Sequence, residues 1–454
     1  MSTKAFFMRI HLIAIGGSAM HNLALALAEM GHQVTGSDDE IFEPSRSRLE
    51  AKGLLPKEIG WRAKKITTDL DFVILGMHAR PDNPELAKAQ ELGLRVVSYP
   101  EFIYEQSKDK TRVVIAGSHG KTTITAMILH VLHYHNHEVD FMVGAQLKGF
   151  DTMVKFSPHN EFILLEGDEY LSSPIDRRPK FMHYQPNITL ISGIAWDHVN
   201  VFPSYEEYVR QFENLLDTKV AGGAVVYNET DPAVVKVVEG TENTIKKFPY
   251  SLPPYRVEQE QVFLETEEGE IPLQIFGKHN MNNLEGARWI CQQMGLTNEE
   301  FYEAIPSFEG ASSRLEPLKT TRGLAYRDYA HAPSKVQATT SATKETYPQH
   351  QVIACFELHT FSSLTKEFLV QYRGALAAAD ETLVYFNPKV LEHKKLPPLS
   401  KAFIQEAFAD ENLKVANSPE EVKNFVKQHQ NDQSVLLLMS SGNFNGINWK
   451  EELQ

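Results

Sequence analysis

Cysteine is almost absent from this 454-residue chain: Cys291 and Cys355 stand far apart, without the spacing of a metal site. That excludes a disulfide framework and points to a reducing compartment. Positive charge is also scarce. With 45 Lys and Arg against 59 Asp and Glu, the formal net charge is −14. A general polyanion binder is thereby excluded, because such proteins displace counterions from phosphates with a basic surface. Nucleic acid is not expected as a partner, and any anionic substrate must meet a local cluster of cations. Long apolar runs are missing too. No stretch approaches the roughly 20 apolar residues of a spanning helix, so no membrane partner is expected. The apolar opening 1–20 is interrupted by Arg9 and His11, and Gly16 and Gly17 follow without a small-residue cleavage site. It reads as a buried strand and not as a signal peptide, which makes a cytoplasmic location the expectation. No internal repeat is visible.

Hydrophobic residues make up 42% of the chain and charged ones 23%, ordinary fractions for a globular protein whose length suits two to four domains. Residues 9–15 read as a strand, 20–30 as a helix ending at Gly31, and 33–37 as a second strand closing on Asp38. A strand at 72–75, a helix at 84–92 and a short strand at 95–98 continue the alternation, which favours a doubly wound parallel sheet. A second unit opens with a strand at 112–116, a glycine-rich turn and a long helix from 121 to about 135. It continues through strands at 161–165, 188–192 and 224–227 and a helix at 279–294. Strands at 323–326, 352–356, 381–385 and 434–439 alternate with helical patterns in a third unit. The expected organisation is α/β in three domains: a Rossmann-like domain at 1–108, a central P-loop ATPase domain at 109–311 and a Rossmann-like α/β domain at 312–454. Clefts between domains are natural binding sites.

The strongest local signal is Gly117-Ser118-His119-Gly120-Lys121-Thr122-Thr123, set between a strand and a helix. Such a loop aims backbone N–H groups and a helix N-terminus at phosphate oxygens, while the lysine reaches the outer phosphates and the next hydroxyl holds magnesium. The loop is shorter than the general P-loop pattern, since Ile115 stands where the first glycine would be. Glu166-Gly167-Asp168-Glu169 follows an apolar strand, and Asp197-His198 follows another, so both fall on the edge where α/β sheets bind ligands. A carboxylate and an imidazole beside a triphosphate can hold a divalent ion directly or through water. Taken singly, each reads better as a solvated acidic turn or a surface histidine, and their placement after successive strands beside the loop reverses that preference. The Gly16-Gly17-Ser18 turn, with Asp38 some twenty residues on, lacks the full G-x-G-x-x-G spacing; a dinucleotide site, a diphosphate turn and a purely structural turn remain open.

Taken together and in order, these segments resemble the Mur ligase family over nearly the whole chain. Ile15-Gly16-Gly17-Ser18-Ala19-Met20 through Gly36-Ser37-Asp38 resembles the segment that binds the uridine diphosphate of a UDP-muramoyl substrate. The 117–122 loop is similar to the family's ATP loop, Gly277-Lys278-His279-Asn280 with Asn283 to its adenine-proximal helix start, and Arg314-Leu315-Glu316 to the start of its third domain. Asp328-Tyr329-Ala330-His331-Ala332-Pro333 resembles a motif that reaches the nucleotide. The resemblance implies ATP-dependent joining of a carboxylate to an amine through an acyl phosphate, with Mg2+ or Mn2+ as the ion. It assigns catalytic roles to Lys121, Glu166, His198 and Arg314. It assigns the metal to Thr122, Glu166 and His198, and the nucleotide to residues 117–123, Asn280, Asn283 and Asp328. UDP-N-acetylmuramate falls to residues 16–20 and Asp38, and the acceptor to His331 and His359.

Within the family, Glu169-Tyr170, the segment 176–184 and the segment 197–202 look most like the branch that attaches L-alanyl-γ-D-glutamyl-meso-diaminopimelate in peptidoglycan recycling. The branch that attaches L-alanine in biosynthesis carries arginines where this chain reads Glu357-Leu358-His359-Thr360-Phe361-Ser362-Ser363. Its fork of donors suits the carboxylate of a small amino acid, and this loop has none. Three positions depart from the family pattern: Gly193 and Ala195 replace an asparagine and a glutamate, and Ser313 replaces an arginine. Two other classes stay open at this level, an NAD-dependent oxidoreductase built on the first domain and a catalytically impaired nucleotide-binding regulator. Because Lys121 serves phosphate charge, its removal is expected to leave the fold intact.

Overall fold

A computed structural model describes residues 7–147, 149–196 and 201–454. Four parallel strands form the first sheet, in the order Gln33–Ser37, Arg9–Ile13, Phe72–Leu75, Val96–Ser98. Phe72–Leu75 is buried along its whole length, as expected where helices cover both faces of a parallel sheet. The helix after the first strand begins at Ser18, directly behind Gly17, and runs to Glu29. The helix Tyr99–Ser107 closes this unit with a capping box between Ser98 and Glu101.

Seven strands form the central sheet, in the order Lys246–Tyr250, Ala224–Asn228, Ile188–Ile191, Thr111–Ala116, Phe162–Glu166, Asp140–Met142, Val154–Lys155. All neighbours are parallel except the last pair. Thr111–Ala116 lies between Phe162–Glu166 and Ile188–Ile191, with Ile115 opposite Glu166 and Ala116 opposite Ile191. That register gathers the carboxyl ends of three strands at one edge, the ligand-binding edge of such sheets.

The third sheet runs Glu316–Pro317, Leu324–Asp328, Ser434–Met439, Gln351–Leu358, Glu381–Phe386, Lys414–Ala416, parallel except at its first strand. The strands expected from the sequence are all present, with ends shifted by a residue or two. A three-stranded antiparallel meander was not anticipated: Tyr255–Glu258, Gln261–Thr266 and Gly269–Leu273. Its acidic residues hide the alternation by which only Val262, Leu264 and Leu273 turn inward.

Apolar packing is continuous between units. One cluster joins the helix Lys121–Tyr134 to the third sheet through Val336, Phe356 and Leu437. Another joins the first sheet to the central one through Phe102, Phe181 and Phe212. We propose that the division falls at 108/109 and 311/312, between the helix Tyr99–Ser107 and the strand Thr111–Ala116, and between the turn Ile305–Ser307 and the strand Glu316–Pro317. No described helix is long and apolar enough to cross a membrane.

Candidate active site

The strand Thr111–Ala116 passes through the glycine-rich loop into the helix Lys121–Tyr134. Gly117 has φ +126° and Gly120 φ +80°. A Cβ at Gly117 would lie 2.2 Å from Ser192 Oγ, and one at Gly120 would lie 2.2 Å from Asn283 Oδ1. Glycine is therefore required at both positions by dihedral angle and by space. Helix N-termini leave the first N–H groups without intrahelical partners, and here Lys121, Thr122 and Thr123 of that first turn line a cleft of about 890 Å³. Gly120→Ala is expected to weaken ATP binding at least about tenfold and to lower stability by about 1–3 kcal/mol, the usual cost of one strained backbone position. Calorimetric ATP titration and a denaturant midpoint check this, and unaltered ATP affinity would refute the loop assignment.

Carboxylates surround the loop. Thr122 Oγ1 donates to Glu166 Oε1 at 2.9 Å, and the Gly144 N–H donates to Glu166 Oε2 at 2.7 Å. Lys121 Nζ donates to Glu169 Oε2 and to the Gly117 carbonyl, each at 2.7 Å. Tyr208 holds the other oxygen of Glu169 at 2.8 Å. Burial pushes the Lys121 ammonium pKa down, but Glu169, Asp168 and Glu166 outweigh it and keep it above its ordinary value. The lysine is thus charged and held in place before any phosphate arrives. Burial also lowers the His279 pKa, against the opposing pull of Asp328, which leaves a neutral imidazole on the cleft wall.

The opposite wall belongs to the third unit and includes Arg314, Tyr329, His331 and Lys335. The Arg314 guanidinium lies over the Tyr329 ring, 4.6 Å from its centroid, an arrangement that favours a cation against an aromatic face. His119 Nε2 and Ser334 Oγ are 2.7 Å apart, so the loop touches this wall directly. Asp328 is buried and accepts from the Leu315 and Ala330 N–H groups, each at 2.7 Å. Its carboxylate therefore shapes the backbone on both sides of the Arg314–Tyr329 pair as well as lining the cleft. Asn280 donates to the Phe276 carbonyl at 2.9 Å and Asn283 contacts Asn280 Oδ1 at 3.5 Å, with both side chains at the cleft.

A second trough, about 1680 Å³ and open to solvent, shares Lys121, Thr122, Glu166 and Arg314 with the first and extends to Gly17, Ser18, Ala19 and Met20. The glycine turn of the first unit and the loop of the central unit thus face one continuous cleft. Gly16 and Asp38 do not line it. Asp38 Oδ2 accepts from the Gly16 N–H at 2.7 Å, and burial raises its pKa to about 6. His359 lies apart from both cavities, 3.7 Å from Glu357. His198 and Asp197 fall outside the described residues.

Sequence reasoning missed Lys335, Tyr99 and the role of Lys180. Lys180 bonds Asp168 at 2.5 Å on the trough wall, and the charge of Asp168 outweighs burial to keep its pKa raised. Nothing local marks Lys335, a single exposed-type residue two positions into the helix Pro333–Thr346.

A glycine-rich strand–loop–helix turn, a carboxylate bonded to the loop threonine and cations brought from a separate unit are the features of a nucleotide-using α/β enzyme of the P-loop class. Comparison with known proteins narrows the class. Residues 9–111 match the Mur ligase family catalytic domain and residues 115–290 the Mur ligase middle domain. A UDP-N-acetylmuramate–L-alanine ligase from Carboxydothermus hydrogenoformans is 30% identical over 461 residues, covering 97% of this chain and 95% of the relative. A UDP-N-acetylmuramate–L-alanyl-γ-D-glutamyl-meso-2,6-diaminoheptandioate ligase from Haemophilus influenzae is 25% identical, covering 97% and 98%. The crystal structure of a UDP-N-acetylmuramate–alanine ligase from Thermotoga maritima superposes with a TM-score of 0.73 at 21% identity, covering 96% of each chain. This chain belongs to the Mur ligase family, and is an ATP-dependent amide-bond-forming ligase of peptidoglycan synthesis. The oxidoreductase alternative is thereby removed. The family uses ATP, generally with Mg2+.

Proposed function

We propose that this ligase joins the carboxylate of UDP-N-acetylmuramate to the amine of L-alanyl-γ-D-glutamyl-meso-diaminopimelate. The observation that carries the choice of acceptor is the 357–363 loop, which contains no arginine. Glu357 is buried there, and its Oε2 accepts from Ser440 Oγ at 2.5 Å and from the Phe444 N–H at 2.7 Å. The loop therefore offers no guanidinium fork of the kind that captures the carboxylate of a small amino acid. A second reading, L-alanine as acceptor, draws on the higher identity to the Carboxydothermus enzyme.

In the proposed reaction the muramoyl carboxylate attacks the γ-phosphate, ADP leaves, and the acceptor amine displaces phosphate from the acyl phosphate. Lys121 and Arg314 offset charge on the transferring group, where fixed cations are most effective. Lys335 lines the trough together with Ser313, the position that replaces an arginine, and supplies a cation there. Asn280 and Asn283 orient the nucleotide, and Asp328 orients the Arg314 segment. The diphosphate of the muramoyl substrate is met by the N–H groups at 17–20, and the acceptor by His331 on the trough wall. The Thr122 hydroxyl and Glu166 carboxylate are paired oxygen donors of the kind a hard divalent cation takes. With His198 they would hold Mg2+ or Mn2+, which when bound neutralises phosphate charge.

The test is phosphate release from ATP with UDP-N-acetylmuramate and Mg2+, comparing the tripeptide with L-alanine and weighing the product. Release with tripeptide alone is expected. Release with L-alanine selects the second reading, and release with neither acceptor supports a catalytically impaired regulator, the reading that Gly193, Ala195 and Ser313 first raised.

A further inference from the structure

We propose that Glu101, Asp176 and His183 form a divalent-cation site, suited to Zn2+, that clamps the first unit onto the central one. Glu101 lies on the helix Tyr99–Ser107, and His183 ends the turn Lys180–His183, which packs against that helix. One ligand atom from each of the three residues falls within 4.8 Å of the others.

His183 distinguishes this cluster from an ordinary acidic patch. It is 6% exposed, and its Nε2 has no hydrogen-bond partner among the described residues. Asp176 Oδ2 stands 3.4 Å from that nitrogen. A buried, unsatisfied ring nitrogen is uncommon and calls for an ion or a water. Tetrahedral zinc with bonds of about 2.0–2.1 Å places neighbouring donors about 3.3–3.4 Å apart, so the His183–Asp176 pair is already at ligand spacing.

Charge and outer contacts agree. Glu101 places both of its helix-capping bonds, from the Ser98 N–H at 3.0 Å and from Ser98 Oγ at 3.2 Å, on Oε2. Arg178 forks onto Asp176, with Nε at 3.0 Å from Oδ1 and Nη2 at 2.6 Å from Oδ2, as groups behind a ligating carboxylate commonly do. Two carboxylates against one guanidinium leave an excess negative charge for a cation to offset. The mixed nitrogen and oxygen donor set favours a late first-row ion over Mg2+. Glu101 and Asp176 are only half-buried, which gives the ion a route in. The cluster does not line the cleft, but Tyr99 and Lys180, which do, lie on the same two elements. A bound ion would hold those two side chains in fixed relation across the junction.

The full chain, stripped with chelator and kept free of nucleotide, is titrated with Co2+ and then Zn2+. One equivalent of Co2+ with the visible absorption of a four-coordinate site is expected, displaced by Zn2+, together with a Zn2+-dependent rise in melting temperature. Glu101→Gln keeps the length of the helix cap and is expected to weaken Zn2+ binding at least about a hundredfold, beyond the effect of losing an outer contact. Glu166→Gln, which alters the separate nucleotide-side carboxylate, should leave the titration unchanged. Absence of the equivalent, or its survival at full affinity in Glu101→Gln, overturns the proposal.

Discussion

Lys121→Ala is expected to reduce kcat/KM by about a thousandfold or more, the scale at which fixed charge on a transferring phosphoryl group acts. The ammonium stands at the junction of both cavities and is held there by Glu169 and the Gly117 carbonyl. The structure also changes the expectation that the fold would be untouched. Lys121 and Glu169 form a pair with side-chain exposures of 14% and 1%, and removing one member of such a pair leaves a buried carboxylate uncompensated, at a cost of about 3–5 kcal/mol. Tyr208 still donates to Glu169, so the lower figure is expected. The variant should therefore lose turnover and unfold at lower denaturant. The double variant Lys121→Ala/Glu169→Gln should recover stability without recovering activity. Wild-type turnover in the single variant would sink the ATP-site assignment, and an unchanged denaturation midpoint would sink the pairing argument.

Glu166→Gln is expected to lower kcat about a hundredfold and to raise the Mg2+ concentration for half-maximal rate about tenfold, as loss of one charged ligand from a metal-assisted phosphoryl transfer implies. Both Glu166 oxygens accept hydrogen bonds, from Thr122 and from the Gly144 N–H. An amide offers one acceptor and one donor, so it cannot satisfy both partners without rearrangement. Thr122 would then lose either its partner or its orientation. Phosphate release across a Mg2+ series measures both effects. An unshifted Mg2+ dependence would show that Glu166 serves the fold of the Gly144 segment and not the ion.

Much of this site was legible because its signals are local. The loop at 117–123 sits where an apolar strand gives way to a helical period, and glycine is needed there for reasons that belong to the loop's own backbone. Glu166 was legible as the last residue of an apolar run, since parallel strands present their carboxyl ends to ligands. Asp38 was assigned to the UDP substrate through the family resemblance of its segment, and the structure adds that its carboxylate bonds the Gly16 N–H. His359 was read from its loop, and that loop lies apart from both cavities. Lys335 carried no signal because a lone lysine on a helix is normally solvated.

The amino-acid sequence by itself determined the alternating α/β order, the phosphate loop with its lysine and threonine, and the carboxylates at the strand ends, all through short-range patterning. Only the tertiary structure decided that Lys121 is charge-paired with Glu169, that Arg314 and Lys335 face the loop, and that Gly17 and Ser18 open onto the same trough. Those relations depend on packing within the central unit and between units, where the cost of burying charge and the fit of apolar faces select one arrangement that no local spacing encodes.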